Sequence, residues 1–360
     1  MRIVVAMSGG VDSSVAAALL AEQGHEVIGV SMQLYDQSGG AADGEPGVAQ
    51  FGTCCTLDDL YDARRVAGQL GIPHYILDFE SPFHQHVVRN FVDEYVGGRT
   101  PIPCVRCNSD VKFQTLLQRA AGLGAARLAT GHYARVEASD DGRVILRRGA
   151  DPAKDQSYFL FPLTQDQLRQ ALFPVGHLPK DAVRAEARRL GLAVADKKDS
   201  QEICFVPDGD YAGFIERASG HAPTAGPVLD QEGTVLGTHE GVHRFTVGQR
   251  KGLGLSSTVP LYVLEVRPTD AAVVVGPRAA LDRASLTAAD VNWIAGGPPD
   301  GWRRVTAQVR HRHRAAPARV RALDDARAEL TFDEPQTAIT PGQAVVFYDG
   351  DAVLGGGWIE

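Results

Sequence analysis

Serine, glycine and aspartate near the amino terminus form a pattern suited to binding phosphate. The sequence Ser8-Gly9-Gly10-Val11-Asp12-Ser13-Ser14 lies between an apolar run at residues 3–6 and an alanine- and leucine-rich run. Adjacent glycines let the backbone approach an anion, and the first N–H groups of a helix have no partner within it. Because the Gly-Lys-Ser/Thr ending of a Walker loop is absent, the pattern predicts another kind of nucleotide-phosphate loop, with a magnesium-linked role for Asp12.

The cysteines suggest thiol chemistry. Cys104 and Cys107 form a Cys-x-x-Cys pair within residues 100–108. Asn108 is predicted to cap a following helix, which would place Cys107 at a helix N-terminus beside Arg106, where both influences favour the thiolate. Cys204 lies far along the chain. Two separated thiols and a nucleotide loop suggest that an oxygen is activated by adenylation and replaced by sulfur from a cysteine persulfide.

Metal sites remain open as alternatives for the cysteines. Cys54, Cys55, Cys104 and Cys107 could form a zinc site, although the adjacent pair is expected to be simply buried. Cys104, Cys107 and Cys204 could instead hold an iron–sulfur cluster that carries the sulfur.

Composition indicates a globular protein of two or three domains. The 360 residues are 44% apolar and 22% charged, and no apolar stretch is long enough to cross a membrane. Because the chain begins with a strand and has an odd number of cysteines, we expect a cytoplasmic protein without a disulfide framework. The net charge of −8 by itself argues against binding of a nucleic acid. One basic stretch, however, favours contact with the phosphates of a nucleic acid. That stretch contains Arg303, Arg304, Arg310, His311, Arg312, His313, Arg314 and Arg319.

The elements that must position these residues alternate between strand and helix over residues 1–135. Strands are predicted at residues 3–6, 26–32, 74–78 and 127–130, and helices at 15–20, 57–70, 83–95 and 109–120. This pattern predicts an α/β, doubly wound parallel sheet with ligands at the carboxyl ends of its strands. A mobile surface loop is expected at residues 37–52, and a helix at 178–190 with Lys180 on its polar side. After residue 207 the sequence becomes β-rich.

The chain resembles the tRNA-specific 2-thiouridylases from end to end. The resemblance rests on SGGVDSS, PCVRCNSDVKF, ATGHYARV, KDQSYFL, DSQEICFV, FTVGQRKGLG and the carboxyl-terminal FDEPQTAITPGQAVVFYDGDAVLGGGWIE. It implies a PP-loop domain like that of the ATP pyrophosphatases (adenine nucleotide alpha hydrolase-like) at residues 1–206. A small β-rich connecting domain would follow at 207–278 and a β-barrel at 279–360.

The resemblance also implies roles for individual residues. Cys107 would be the nucleophile, Cys204 the persulfide carrier and Asp12 a further catalytic residue. ATP would be bound by Ala6, Met7, Ser8, Gly9, Gly10, Val11, Asp12, Ser13, Met32 and Gly131. The tRNA would contact Ile102, Pro103, Cys104, His132, Lys154, Asp155, Gln156, Arg310, His311 and Gln343, the first three lining the target base. Where the family usually has asparagine, aspartate and Arg-Tyr-Arg, this chain has Ile102, Cys104 and Arg310-His311-Arg312.

The implied reaction converts the anticodon wobble uridine to 2-thiouridine with release of AMP and pyrophosphate. It would use ATP and Mg²⁺, tRNAs for lysine, glutamate and glutamine, and a persulfide-donating sulfur carrier or cysteine desulfurase. We expect a monomer with no membrane partner. Two other functions compete: an amide or C–N ligase, which needs no cysteine pair, and a tRNA-binding module with a relic nucleotide site.

Overall fold

The structure, a computed structural model, describes residues 1–35, 56–198, 203–206, 208–220 and 222–360. The loop predicted at residues 37–52 and the cysteines Cys54 and Cys55 lie outside these ranges. The chain forms two compact units. Unit 1 comprises Met1–Val87, Cys104–Gly209 and Asp351–Val353, and unit 2 comprises Val88–Pro103, Asp210–Gly350 and Leu354–Glu360.

The secondary structure alternates first and is β-rich later. The α-helices are α1 (Val11–Glu22), α2 (Leu57–Leu70), α3 (Glu80–Phe83), α4 (Arg89–Val96), α5 (Pro103–Arg106), α6 (Leu117–Gly122), α7 (Gln165–Gln170), α8 (Lys180–Arg189) and α9 (Tyr211–Ser219). The strands are β1 (Arg2–Ala6), β2 (Glu26–Gln33), β3 (His74–Asp78), β4 (Arg127–Ala129), β5 (Ala134–Ala138), β6 (Val144–Arg148), β7 (Ala171–Leu172), β8 (Gly226–Leu229), β9 (Val235–His239), β10 (Tyr262–Arg267), β11 (Ala272–Gly276), β12 (Asp282–Trp293), β13 (Arg303–Gln308), β14 (Ala316–Ala322), β15 (Ala328–Thr337), β16 (Ala344–Asp349) and β17 (Ala352–Ile359).

A parallel sheet organises unit 1. The described strands follow the order β3-β2-β1-β4-β7, and each neighbouring pair is parallel. Ile3, Val4 and Val5 of the central strand are fully buried, as expected for a strand covered on both faces. Helix α1 follows this strand and packs against α8 in the same unit. The predicted parallel α/β architecture is therefore confirmed.

Local signals account well for helix α2. Thr56 Oγ1 accepts a hydrogen bond from the Asp59 N–H, and the Asp59 carboxylate accepts one from the Thr56 N–H, which forms a capping box. Gly71 ends the helix in the left-handed conformation at φ 68°. The predicted bounds of this helix are confirmed, and Thr56 is its N-cap.

Two predicted helices are longer and less regular than expected. The helix predicted at 83–95 consists of α3, a π-helical turn at His84–Val88, and α4. The helix predicted at 109–120 begins at α5, continues through a π-helix at Cys107–Leu116, and ends with α6. The periodicity of apolar residues was right, but a π turn adds a residue per turn that this pattern does not reveal.

Unit 2 contains the β-rich part of the chain. Four strands form a sheet in the order β10-β11-β8-β9. Strands β12-β15-β14-β13-β16-β17 form a six-stranded barrel, which closes where β12 pairs with β17. Buried side chains such as Leu330 and Phe347 fill it. Within the described ranges, no helix combines the length and apolarity that crossing a membrane would require.

Candidate nucleotide and thiol site

The phosphate-type loop lies at the carboxyl end of the central strand of unit 1. Gly9 has φ 72°, and a Cβ there would lie 2.1 Å from the backbone oxygen of Asp59. On the other side, a Cβ on Gly131 would lie 2.6 Å from the Ser13 nitrogen. Because backbone packs this closely on both sides, glycine is required at both positions. Close backbone packing thereby fixes the loop at the N-terminus of α1.

Serine hydroxyl groups shape the loop from within. Ser13 Oγ donates to the Gly10 carbonyl at 3.2 Å and accepts from the Ser8 N–H at 3.2 Å. Ser14 Oγ donates to the same carbonyl at 2.8 Å. Ser13 and Ser14 are buried, whereas Ser8 is exposed. Of the three hydroxyl groups, that of Ser8 is the most accessible to a phosphate.

The other predicted nucleotide residues lie at the same edge of the sheet. Ala6 ends β1, Met7 donates its N–H to the Val30 carbonyl, and Met32 lies near the end of β2. Gly131 follows β4, on the opposite side of β1. The carboxyl ends of three adjacent strands thus bring these residues around the loop.

The Asp12 carboxylate accepts hydrogen bonds from two residues that lie far from it in the sequence. Lys180 Nζ donates to both carboxylate oxygens at 2.8 Å, and the Tyr133 hydroxyl donates to Oδ1 at 2.6 Å. Lys180 is only 8% exposed. The expectation that Lys180 lies on a polar face was wrong, because its ammonium group is buried against the Asp12 carboxylate.

The Lys154-Asp155-Gln156 segment contacts Tyr133, one of the two partners of Asp12. Gln156 Oε1 accepts from the Tyr133 N–H at 3.0 Å. The Asp155 carboxylate accepts from the N–H groups of Gly149 and Ser157 and from the Arg148 guanidinium. Asp155 and Gln156 therefore have structural partners in unit 1, in addition to their predicted contact with tRNA.

A second lysine also contacts the loop. Lys197 Nζ donates to the Gly9 carbonyl at 3.2 Å and to carboxylates of Asp59 and Asp62 at 2.6 Å each. Lys180, Tyr133 and Lys197 are the residues that sequence reasoning missed. No local pattern marks them, since their partners lie more than 100 residues away or on another element.

The predicted environment of Cys107 requires a correction. Helix α5 begins at Pro103, and the helical conformation continues through Arg106 and Cys107. Cys107 therefore lies inside the helix, and Asn108 does not cap it, because Asn108 Oδ1 accepts from Lys112 Nζ at 2.9 Å. Proline suits a first helical position because it has no N–H to satisfy, so the helix can start earlier.

The cysteines are accessible to different degrees. Cys104 is exposed, and Cys107 and Cys204 are partly exposed. In the part of the chain that the structure describes, no three cysteine, histidine or acidic side chains are grouped to hold a metal ion.

His132 lies in an apolar environment beyond β4. Its ring packs against Phe113 and Phe173, and Nδ1 lies 2.7 Å from the Thr130 hydroxyl. Burial, and then the charge of Lys112, lowers the pKa of His132 well below the usual histidine value. The neutral imidazole is therefore the form that the fold stabilises.

The remaining predicted tRNA residues belong to unit 2. Gln343 Nε2 donates to the Thr100 carbonyl at 2.9 Å, just before Ile102 and Pro103. Arg310 donates to the Thr337 carbonyl at 3.2 Å, and His311 is exposed.

Comparison with known proteins covers almost the whole chain. A model described as the tRNA methyl transferase HUP domain matches residues 1–208, a tRNA methyl transferase PRC-barrel domain matches 212–277, and an aminomethyltransferase β-barrel domain matches 283–359. A tRNA-specific 2-thiouridylase MnmA from Geotalea uraniireducens is 57% identical over all of this chain and 95% of its own length. One from Geobacter metallireducens is 55% identical over all of this chain and 96% of its own length.

Resemblance to solved structures is weaker. An NMN synthetase from Francisella tularensis is 14% identical, with a TM-score of 0.33 over 62% of this chain and 78% of that one, too low to support a conclusion. The family model over residues 1–208 and the full-length identity to the relatives establish the assignment: the chain belongs to the family of tRNA-specific 2-thiouridylases.

Proposed function

We propose that this protein is a tRNA 2-thiouridylase that activates the wobble uridine with ATP and transfers sulfur from Cys204. The observation that carries the proposal is the combination, within unit 1, of a phosphate-type loop and two accessible cysteines. The relatives that are more than half identical over their full length are named for this activity. We also propose the domain division 1–206, 207–278 and 279–360.

In the first step, C2 oxygen of the uridine attacks the α-phosphate of ATP, which forms an adenylate and releases pyrophosphate. The N–H groups at the start of α1 and the Ser8 hydroxyl would bind the phosphate oxygens. Adenylation is needed because the C2 oxygen is otherwise a poor leaving group. Met32 and Gly131 would lie along the nucleotide.

Mg²⁺ fits the loop as a cofactor held mainly by phosphates. Asp12 Oδ2 accepts one hydrogen bond, from Lys180, and so keeps a lone pair for a cation. A single carboxylate together with substrate phosphates and water is a common way to hold this ion, which would neutralise phosphate charge.

In the second step, the terminal sulfur of a Cys204 persulfide attacks C2 and forms a C–S bond, and AMP leaves with the C2 oxygen. The Cys107 thiolate then attacks Cys204 Sγ and breaks the S–S bond, leaving sulfur on the uridine and a Cys107–Cys204 disulfide. A two-electron thiol reductant restores both thiols. A sulfur carrier or cysteine desulfurase would supply each new persulfide.

The decisive experiment measures the nucleoside product. Unmodified glutamate tRNA is incubated anaerobically with the protein, ATP, Mg²⁺ and a cysteine desulfurase with cysteine as the persulfide source, and 2-thiouridine is quantified by mass spectrometry. We expect an ATP-dependent product in the wild type and a large loss in C107S and C204S. If C204S retained full activity with the persulfide donor, Cys204 would not be the sulfur carrier, and this part of the proposal would fail.

The other functions make different predictions in the same assay. A ligase would consume ATP without tRNA and without either cysteine, so ATP turnover that is independent of tRNA and unaffected by C107S and C204S would refute the proposal. A binding module would retain tRNA without releasing pyrophosphate. Pyrophosphate release without 2-thiouridine would instead separate adenylation from sulfur transfer.

A further inference from the structure

Tyr133 combines a buried ring with a hydroxyl group that reaches the nucleotide loop. The residue is only 2% exposed and belongs to the same buried cluster as Val11 and Val15 of α1. Its hydroxyl donates to Asp12 Oδ1 at 2.6 Å, the short distance of a charge-assisted hydrogen bond. Because packing holds the ring, the hydroxyl group has a fixed position and in turn fixes the carboxylate oxygen that it contacts.

The backbone of Tyr133 is fixed as well. The side-chain oxygen of Gln156 accepts from the Tyr133 N–H at 3.0 Å, and the Gln156 N–H donates to the Tyr133 carbonyl at 2.9 Å. Gly149 lies against the same carbonyl, where a Cβ would approach the oxygen to 2.6 Å. A displacement of Tyr133 must therefore also displace Gln156 or Gly149.

The Asp12 carboxylate is held in place and is still accessible. Tyr133 and Lys180 together donate three hydrogen bonds to it, two at Oδ1 and one at Oδ2. The Asp12 side chain nevertheless remains 29% exposed. A carboxylate that is already oriented binds a cation more tightly than a freely rotating one, because less conformational freedom is lost on binding.

The two partners of Asp12 differ in their expected effect on a cation. Lys180 is positively charged, so removing its ammonium group would remove an orienting contact and also a repulsion of the cation. These two effects have opposite signs. The Tyr133 hydroxyl is neutral, so its removal changes the orientation of the carboxylate and leaves the charge of the site as it is. Tyr133 is therefore the partner whose effect on the cation has a defined sign.

We propose that Tyr133 is a positioning residue that orients the Asp12 carboxylate for the Mg²⁺ ion that accompanies ATP, and that Gln156 keeps Tyr133 in place. The identities of the ion and of the nucleotide rest on the proposed function. The positioning itself rests on the contacts of Tyr133 with Asp12 and with Gln156. Gln156 thereby acts on the nucleotide site, in addition to its predicted contact with tRNA.

The test measures ATP binding by equilibrium dialysis over a range of Mg²⁺ concentrations, without tRNA. In Y133F the Mg²⁺ concentration that gives half-maximal ATP binding should rise about ten- to a hundredfold, the usual cost of removing a partner of a metal ligand. Saturating Mg²⁺ should restore binding, because the loop itself is unchanged. Binding of Mn²⁺ in the presence of ATP, followed by electron paramagnetic resonance, should weaken by a similar factor.

Tyr158 provides the matched control, because it is another buried tyrosine of unit 1 and is only 1% exposed. Y158F should keep the wild-type Mg²⁺ requirement, whatever its effect on stability. In a D12N background, Y133F should have no further effect, because the charged ligand that Tyr133 orients is gone.

A second variant covers the case in which Y133F does not fold. Q156M removes the acceptor of the Tyr133 N–H and should raise the Mg²⁺ requirement by a smaller factor than Y133F. Because the assay contains no tRNA, a contact of Gln156 with tRNA does not contribute to this result.

Several results would overturn the positioning role. They are an unchanged Mg²⁺ requirement in Y133F, an equal change in Y158F, an equal effect of Y133F in the D12N background, or a wild type that binds ATP independently of Mg²⁺. If Y133F raised the requirement but the wild type formed no 2-thiouridine, the positioning would stand and the proposed function would fail. If the wild type formed 2-thiouridine and Y133F left the requirement unchanged, the reverse would hold.

Discussion

The Asp12 carboxylate shows how a single charge is held at the start of a helix. Its negative charge is favourable there because of the helix dipole, and Lys180 and Tyr133 provide three hydrogen bonds. Lys180 is nearly buried, so its charge depends on Asp12 for compensation. The Asp12 carboxylate and the Lys180 ammonium group thus compensate each other's charge.

Exchanging Lys180 for methionine tests this pair. K180M should lower the free energy of unfolding by about 2–3 kcal/mol, because a partly buried carboxylate loses its cation. In a double-mutant cycle with D12A, the coupling energy should be about 1–3 kcal/mol. Urea denaturation measures both values. Strictly additive effects of the two changes would show that the pair contributes nothing.

His132 makes stability depend on pH. Burial lowers the pKa of His132 in the folded state, whereas in the unfolded chain it is about 6.5. At pH values between these two pKa values, the unfolded chain binds more protons than the folded chain. Stability should therefore be complete above pH of about 6.5 and should decrease as the pH falls below it.

Replacing His132 should reduce this pH dependence. H132Q removes the titrating ring, so the loss of unfolding free energy between pH 7.5 and pH 5.5, measured by urea denaturation, should be smaller than in the wild type. The absolute stability at pH 7.5 is expected to fall, because packing against Phe113 is lost. H177Q is the control, since His177 is exposed. A slope unchanged in H132Q would contradict the assignment.

At the scale of elements, the nucleotide loop and helix α2 form one packed unit. Gly9 lies directly against the backbone of Asp59, and Asp59 also caps α2 through Thr56. The conformation of the loop and the position of the helix N-terminus are therefore linked. Glycine at position 9 satisfies both the positive φ and the lack of space.

Comparison with Gly24 separates the effect of the positive φ from the effect of the lack of space for a Cβ. Gly24 has φ 77°, close to that of Gly9, but a Cβ there would meet nothing within 4 Å. G24A should cost about 1 kcal/mol in unfolding free energy from backbone strain alone and leave ATP binding unchanged. G9A should be more destabilising and should abolish ATP binding, measured by dialysis. Equal effects of both variants would contradict the role of close packing.

Elements with short-range signals were predictable from the sequence. Strand His74–Asp78 and helix Leu57–Leu70 agree with prediction at both ends, because capping and alternation act within a few residues. The helix that contains Cys107 was predicted to start too late. Both Pro103 and Asn108 are acceptable near a helix start, and only the packed structure selects between them.

At the scale of the whole molecule, charge is unevenly distributed. The chain carries a net charge of −8, yet Arg312 and Arg314 are exposed in the basic stretch. Two other arginines there form ion pairs: Arg303 with Asp349 at 3.0 Å and Arg304 with Asp333 at 2.9 Å. A polyanion can therefore be bound locally by an acidic protein.

Salt dependence of tRNA binding tests this distribution. R312Q and R314Q should each weaken tRNA binding and reduce the slope of log K against log salt by up to about one, while ATP binding is unchanged. Filter binding at several salt concentrations measures the slope. R304Q, which removes a paired arginine, should change it less. If R304Q had the larger effect, the basic stretch would not be the phosphate contact.

The sequence by itself determined the alternation of the first strands and helices, up to the strand at residues 127–130, the glycine-rich loop and the change to β-rich structure. These depend on periodicity, capping and glycine conformations, which act over a few residues. Only the tertiary structure decided that Lys180 reaches Asp12, that Lys197 binds Gly9, and that Tyr133 lies between Gln156 and Asp12. Such partners are far apart in the chain, and ion pairs of this kind form only where packing brings both groups together and removes them from water.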